Sequence, residues 1–263
     1  MKYSVFTVLN SAYMKFGKIW INSFYDKIDI SNIKKIYIGD TGLNSDDKNY
    51  LRKFNKVEIL GTNVSDKNSE FKMWDGKWHN SVSQKTKIFR KLVRTRDLPI
   101  VMLDADLLFL KDFSSLIDLN HDIQICFRNH SRRERPHSMD YLASYVSVNN
   151  KKSLKFLDTW IEMIENEKTV EINGNLIQAK ETPCLCKTVE IFKDKNINLN
   201  IGDVAEDIVS VYDAPEILPN ISMIIHFKGA GVNVFSNNID EAYKNKVIDK
   251  GWGEYIDEKG YLN

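Results

Sequence analysis

The feature that most constrains this chain is the segment 99–113, PIVMLDADLLFLKDF, in which two aspartates interrupt a long apolar run. Apolar residues on both sides of the pair predict a strand covered on both faces, as in a parallel sheet between layers of helices. Residues two apart in a strand point to the same side, so Asp104 and Asp106 are expected to converge near its carboxyl end. Converging carboxylates in apolar surroundings repel each other unless a positive charge neutralises them. The pattern therefore predicts a site for a divalent cation or a phosphate, the alternative being a turn or cap.

Composition limits the class of protein. The 263 residues are 43% hydrophobic, which allows one large globular domain with a substantial core. With 37 basic and 36 acidic residues, the charge gives no reason to expect nucleic-acid binding. Cys126, Cys184 and Cys186 fit neither a zinc spacing nor a disulfide framework, which favours a reducing compartment. No apolar run reaches membrane-spanning length and no signal peptide leads the sequence, so we expect a cytoplasmic protein, with peripheral attachment to a membrane left open.

The order of the predicted elements indicates an α/β fold. Strands at 3–9, 34–38 and 57–60 alternate with helices at 12–27 and 46–54, an order typical of a parallel sheet with right-handed crossovers. The next helix is predicted to begin at Ser81, after a long polar connection, and a later one to start with Thr182 as N-cap and Pro183 as its first residue. The other predicted elements are strands at 122–127, 141–148, 198–201 and 221–227, an extended stretch at 208–212, and helices at 153–166 and 239–250.

Polar residues follow the early strands at the edge where an open parallel sheet binds ligands. Asn10 follows the first predicted strand, Asp40 the second, and the aspartate pair lies on the central one. A nucleotide could span these positions. Asp40 could accept a hydrogen bond from a base or a ribose hydroxyl, or it could cap the Asp-Thr-Gly turn that follows it. Because carboxylates repel a diphosphate, a bound nucleotide would need a bridging Mg²⁺ or Mn²⁺ ion.

Two cationic or metal-ligating side chains are candidates to join the aspartates. Lys85 lies on the inner face of the helix that leads into the aspartate strand, where it could contact an aspartate or a ligand phosphate, or extend to solvent. His226 closes an apolar strand, and it is either a third metal ligand or a core histidine with local hydrogen bonds. Lys228 and the backbone amides from Gly229 to Gly231 could hold phosphate oxygens.

The amino-terminal βαβ half, the lysine-bearing helix, the strand VMLDADLLFL and the late HFKG segment together resemble the GT-A fold glycosyltransferases, most nearly the family 8-like retaining enzymes. The resemblance implies a single α/β GT-A (Rossmann-like) domain with a mostly parallel central sheet flanked by helices. Residues 1–113 would bind the nucleotide sugar, and residues 114–263 would bind the acceptor and end in a helix.

The resemblance also implies an activity and a set of site residues. The activity is transfer of a sugar from a nucleoside-diphosphate donor, first of all a UDP-sugar, to a glycan or lipid-linked glycan. Asp104, Asp106 and His226 would hold Mn²⁺ or Mg²⁺. The implied nucleotide-sugar-binding residues are Leu9, Asn10, Asp40, Lys85, Asp104, Ala105, Asp106, Lys228 and Gly229.

The sequence departs from the family 8 pattern at two places that concern chemistry. The Lys-Pro-Trp segment expected after the histidine is replaced by Ala230-Gly231-Val232-Asn233, and the acidic-Gln pair before a later helix is replaced by Glu181-Thr182. Glu181 is the catalytic candidate. It would be a base if the enzyme inverts, a sugar-positioning group if it retains, or simply part of a helix cap.

Three other classes compete with this interpretation. A nucleotidyltransferase that makes nucleotide sugars would need a glycine-rich, arginine-containing loop after the first strand, and residues 9–17 lack one. A haloacid-dehalogenase-type phosphatase carries its Asp-x-Asp on the opening strand and follows it with threonine, whereas Leu107 follows here. A non-catalytic nucleotide or sugar binder of the same fold stays open.

Overall fold

A computed structural model describes residues 1–61, 76–128, 139–195, 197–209 and 220–227, with the backbone alone for residues 76–82. Within these ranges the helices are α1 (Met14–Lys27), α2 (Ser45–Leu51), α3 (Gly76–Thr95), α4 (Leu154–Asn166), α5 (Glu181–Asp194) and α6 (Glu206–Val209). The strands are β1 (Tyr3–Leu9), β2 (Ile33–Asp40), β3 (Val57–Gly61), β4 (Ile100–Leu103), β5 (Leu107–Phe109), β6 (Ile123–Phe127), β7 (Tyr141–Val148), β8 (Thr169–Ile172), β9 (Asn175–Gln178), β10 (Ile201–Ala205) and β11 (Ile224–His226). None of the described helices is long and apolar enough to span a bilayer.

The centre of the fold is a seven-stranded sheet in the order β10-β6-β7-β4-β1-β2-β3. Strands β3, β2, β1 and β4 run parallel to one another, and β10 runs parallel to β6. Only β7 is antiparallel to its two neighbours, β4 and β6, among the strands of this described sheet. The prediction of an α/β fold with a mostly parallel sheet is therefore confirmed.

Alternate residues of the central strands pack into two separate cores. In β4, Val101 and Leu103 face the core shared with α1, whereas Ile100 and Met102 face the core shared with α3, α4 and α5. Both faces of the sheet are covered, which is why the strand sequences are apolar without alternation. Burying each large apolar side chain contributes about 1.5–3 kcal/mol before the entropic cost of folding is subtracted.

The aspartate segment is not one strand, as the sequence predicted, but two strands separated by a bend. The N–H of Asp104 still donates to the carbonyl of Ser144 on β7, over 3.1 Å. The chain then leaves the central sheet, and β5 pairs with β11 in a separate antiparallel two-stranded sheet. The N–H of Phe227 donates to the carbonyl of Asp106 over 2.8 Å. The two aspartates thus lie where the backbone passes from one sheet to the other.

Strand β5 is held from its other side by α1. The N–H of Phe109 donates to Oγ of Ser23 over 3.2 Å, and this buried serine in turn donates to the carbonyl of Ile19 over 2.7 Å. Phe109 packs edge-on against Trp20, with ring centroids 5.2 Å apart. The segment that follows the aspartates therefore has a bonded partner on each side.

Several predicted boundaries were wrong. Helix α3 begins at Gly76 rather than at Ser81. Helix α5 has Lys180 as its N-cap residue and Glu181 as its first helical residue, so Thr182 is not the cap and Pro183 lies inside the first turn. Strand β10 begins at Ile201, and residues 208–209 lie in α6 instead of an extended stretch. The predicted helix at 239–250 lies outside the described residues.

The sequence interpretation missed the hairpin formed by β8 and β9, whose strands pair antiparallel. Its turn is Asn173-Gly174, with φ of 51° and 75°. Two consecutive residues at positive φ match the twist of a two-residue hairpin, and Asn-Gly is the pair that adopts this turn most readily. Val170 and Ile172 are buried while Thr169 and Glu171 are exposed, so the sequence did contain the alternation of a half-buried strand.

Candidate metal centre

Three side chains from two separate parts of the chain converge at the carboxyl end of β4. Asp104 follows β4, Asp106 precedes β5, and His226 ends β11. Each offers one possible ligand atom, and these three atoms lie within 4.8 Å of one another. Nε2 of His226 is 3.4 Å from Oδ2 of Asp104 and 3.4 Å from Oδ1 of Asp106. The bend after β4 and the pairing of β5 with β11 produce this arrangement.

Lys85 is the cation beside this group. It is 4% exposed, its Nζ donates to Oδ1 of Asp104, and it lies 3.1 Å from Oε1 of Glu181. Burial disfavours the charged form of Lys85, but the charges of Asp104 and Glu181 outweigh that effect and raise its pKa above the ordinary value. The lysine therefore stays charged between the two carboxylates.

Glu181 begins α5 and carries the most perturbed carboxyl group of the site. Burial raises the pKa of Glu181 to about 7, and the charges of Asp104 and Asp106 act in the same direction while Lys85 opposes them. Its backbone carbonyl accepts a hydrogen bond from Nε1 of Trp160 over 2.8 Å. A buried carboxyl group with a pKa near neutrality is a common property of functional sites.

Asp106 is ionised despite its burial. Desolvation acts to raise the pKa of Asp106, but the electrostatic interaction and hydrogen bond with His226 and the charge of Lys85 together lower it below the ordinary value. The second oxygen of this carboxylate, Oδ2, lies 3.4 Å from the hydroxyl of Tyr13. Sequence reasoning missed Tyr13, which lies one turn beyond the end of β1.

The charges and donor atoms of the group fit a divalent metal ion. Asp104, Asp106 and Glu181 carry three negative charges when ionised, and Lys85 compensates one of them. His226 must be neutral to coordinate a metal. Two carboxylate oxygens and an imidazole nitrogen form a donor set that could hold a divalent ion, and the ion's two charges would balance the remaining two. The residues present therefore fit such an ion.

Asp40 lies at the same edge of the sheet but has local partners. Its Oδ1 accepts hydrogen bonds from the N–H groups of Gly42 and Leu43 over 3.0 and 2.8 Å, and its Oδ2 lies 2.6 Å from Nζ of Lys48. Burial acts to raise the pKa of Asp40, but Lys48 and the two backbone donors lower it overall. This is the turn-capping arrangement that the sequence left open. A contact with a nucleotide stays a prediction.

The other predicted residues are distributed around the same edge. Asn10 is buried, and its Oδ1 accepts from the N–H of Tyr13 over 2.9 Å, which caps the 3₁₀ helix Ser11–Tyr13. Leu9 pairs in register with Asp40, and Ala105 lies between the two aspartates. Lys228 and Gly229 lie outside the described residues.

Comparison with known proteins gives one family and one fold. The family model described as nucleotide-diphospho-sugar transferase matches residues 46–187, a span that includes Lys85, both aspartates and Glu181. A search of curated protein sequences finds no match.

The chain is also similar to solved structures. An active-site mutant of LgtC has a TM-score of 0.59 at 11% identity, over 93% of this chain and 95% of that one. A structure described as the galactosyltransferase LgtC in complex with donor and acceptor sugar analogs has a TM-score of 0.56 at 10% identity, over 97% and 99% of the two chains. The glycosyltransferase GlyE of Streptococcus pneumoniae TIGR4 has a TM-score of 0.55 at 15% identity, over 96% and 64%. At these identities the likeness shows the fold.

Proposed function

This chain belongs to the nucleotide-diphospho-sugar transferase family. We propose that it transfers a sugar from a nucleoside-diphosphate donor to a hydroxyl group of a glycan or lipid-linked glycan, and that the donor is a UDP-sugar. The observation that carries the proposal is the convergence of Asp104, Asp106 and His226 within 4.8 Å at the carboxyl end of β4. Ligands of open α/β sheets bind at this edge.

We assign Asp104, Asp106 and His226 as the residues that would hold Mn²⁺ or Mg²⁺. Bound there, the ion would neutralise the donor diphosphate and stabilise the charge that develops as the diphosphate leaves. Lys85 fixes one oxygen of Asp104 through its hydrogen bond, so that the other oxygen faces His226. Lys85 and His226 are both buried, so the side of the metal centre that they form has little contact with water.

The proposal divides the domain into a donor side and an acceptor side. On the donor side, residues 1–113 would contact the nucleoside through Leu9, Asn10 and Asp40, which lie at the ends of β1 and β2. Lys228 and Gly229 would hold phosphate oxygens, because they lie two and three residues after the histidine ligand in the chain. Residues 114–263 would form the acceptor side.

Glu181 would be the acid–base or sugar-positioning group. Lys85 lies between its carboxyl group and that of Asp104 and contacts both. The pKa of Glu181, about 7, suits a group that gains or loses a proton at neutral pH. In an inverting reaction it would take the proton from the acceptor hydroxyl. In a retaining reaction it would accept a hydrogen bond from the donor sugar. The anomeric configuration of the product, measured by NMR, distinguishes the two roles.

We also propose a reducing compartment, the cytoplasm, as the place of action. Cys126, Cys184 and Cys186 are buried and are not joined by disulfides in this fold. Disulfides rarely persist in reducing compartments, where buried thiols are tolerated as small apolar side chains.

Calorimetry of UDP binding tests the proposed function. UDP should bind the wild-type chain in Mn²⁺ and not in EDTA. In Asp106→Asn, the UDP binding that depends on Mn²⁺ should be abolished. Asp46→Asn, which removes an exposed carboxylate in the first turn of α2, is the matched control and should bind like wild type. No binding of UDP in Mn²⁺, or unchanged binding in Asp106→Asn, would contradict the proposal.

A second step separates an enzyme from a non-catalytic binder. Nucleotide sugars are screened by thermal shift in Mn²⁺, because a ligand that binds only the folded state raises the unfolding temperature. UDP release is then measured with the best donor, with and without a pool of glycan acceptors. An enzyme releases UDP slowly by hydrolysis and faster with an acceptor, whereas a binder releases none.

A further inference from the structure

In both aspartates of the metal centre, one carboxylate oxygen lies near His226 and the other lies near a hydrogen-bond donor. Asp104 turns Oδ2 toward His226 and accepts a hydrogen bond from Lys85 on Oδ1. Asp106 turns Oδ1 toward His226 and has the hydroxyl of Tyr13 on Oδ2, at 3.4 Å. Each carboxylate thus has one oxygen toward the proposed ion and the other toward a donor on the outside.

We propose that Tyr13 is a positioning residue of the metal centre, whose hydroxyl donates to Oδ2 of Asp106 and so keeps Oδ1 turned toward His226 and the ion. The inference rests on the metal site of the proposed function, and it adds a residue that acts on the ion through Asp106. Outer hydrogen bonds of this kind orient ligating side chains, and their loss typically lowers metal affinity about 10- to 100-fold.

The position of the Tyr13 ring is fixed by its neighbours. Asn10 caps the short helix that ends at Tyr13. The ring of Tyr13 packs against Phe16 with centroids 5.0 Å apart, and Phe16 packs against Phe227 at 5.9 Å. The N–H of Phe227 donates to the carbonyl of Asp106 over 2.8 Å. These contacts join the Tyr13 ring, Asp106 and the end of β11 into one packed unit.

The hydroxyl is available as a donor at neutral pH. Burial, and next the charge of Asp106, raise the pKa of Tyr13 well above its ordinary value, so the hydroxyl keeps its proton. The 3.4 Å separation from Oδ2 is longer than the 2.5–3.0 Å usual for O–H···O bonds. The expected effect of losing the hydroxyl therefore lies at the lower end of the range, about tenfold in metal affinity.

The test is Tyr13→Phe, which removes the hydroxyl and keeps the ring. The dissociation constant for Mn²⁺ is measured by calorimetry and by EPR on the full chain, without nucleotide. The control is Tyr50→Phe, which removes a tyrosine hydroxyl that accepts from Nδ2 of Asn22 over 3.0 Å. We expect the dissociation constant to rise about tenfold in Tyr13→Phe and to be unchanged in Tyr50→Phe.

Unfolding temperatures in EDTA complete the test. A weakened Mn²⁺ affinity with metal-free stability like that of Tyr50→Phe supports the inference. Weakened affinity accompanied by a clearly larger loss of metal-free stability indicates general loosening of the fold and overturns it. Unchanged or tighter Mn²⁺ binding in Tyr13→Phe also overturns it, while leaving the proposed function intact. A wild-type chain that binds no Mn²⁺ overturns both.

Discussion

The ammonium group of Lys85 lies 3.1 Å from Oε1 of Glu181 and donates on its other side to Asp104, so one buried cation joins the start of α5 to the end of β4. These two elements are far apart in sequence and carry the proposed catalytic and metal-binding carboxylates. A side chain of α3 therefore links the two carboxylates directly.

Lys85→Met is expected to lower the free energy of unfolding by up to about 3–5 kcal/mol, because it removes a buried cation and leaves the partly buried carboxylates of Asp104 and Glu181 without it. The measurement is denaturant unfolding in EDTA. Lys87→Met is the control on the same helix. Lys87 pairs with Glu165 at the surface, where both side chains are about two-fifths exposed, and its loss should cost less than about 1 kcal/mol. Similar losses in the two variants would show that the buried position of Lys85 has no special role.

Glu181→Gln should flatten the dependence of stability on pH. The pKa of Glu181 is raised from 4.5 to about 7 in the folded chain. The folded state thus binds the proton more tightly than the unfolded state. The stabilisation that comes from this raised pKa is fully present below pH 4.5 and is lost as the pH rises through about 7. In EDTA, the wild-type free energy of unfolding should fall more steeply across this window than that of Glu181→Gln. If the free energy of unfolding depended on pH in the same way in wild type and Glu181→Gln, the raised pKa of Glu181 would be contradicted.

Mn²⁺ should stabilise the wild-type chain through His226. At a Mn²⁺ concentration 100 times the dissociation constant, the free energy of unfolding should rise by about 2.7 kcal/mol, and EDTA should remove the gain. His226→Ala should lose most of this increment at the same concentration. His121→Ala should keep it, since His121 pairs with Asp118 outside the centre. An equal increment in both histidine variants would exclude His226 as a ligand.

Gly174→Ala should destabilise the hairpin that leads into Glu181. Gly174 has φ of 75°, where a Cβ costs about 1–2 kcal/mol. Gly61→Ala is the matched control, because the added Cβ meets no atom of the described residues within 4 Å and the φ of Gly61 is not positive. That change should be neutral or slightly stabilising. Urea unfolding measures both, and a neutral result for Gly174→Ala would mean that the turn relaxes without cost.

The sequence predicted those parts of the fold that depend on local pattern. Strand β1 is a short, almost continuously apolar segment and helix α4 has strong apolar periodicity, and both were located within a residue of their observed ends. The break of the aspartate segment was not predictable in this way, because it depends on the pairing of β5 with β11, a contact between distant parts of the chain. The hairpin of β8 and β9 had a usable local signal, the Asn173-Gly174 pair.

The residues of the proposed site likewise differ in whether a local sequence pattern points to them. Asp104 and Asp106 could be selected because charges inside an apolar run are costly and therefore conspicuous. Lys85 could be selected because it interrupts an inner helix face. Tyr13 had no such signal: an aromatic residue near the start of a helix is ordinary, and its contact with Asp106 exists only after β1 and β4 lie side by side.

The pairing of β5 with β11 also sets an order of events during synthesis. Lys85 and both aspartates leave the ribosome long before His226, and at about 5–20 residues per second the interval is roughly 6–24 seconds. Throughout that time Lys85 is already present to pair with Asp104, whereas β5 lacks its partner strand. The histidine closes the centre only after this interval. Affinity for a metal ion would then distinguish a chain that extends beyond His226 from one that stops before it.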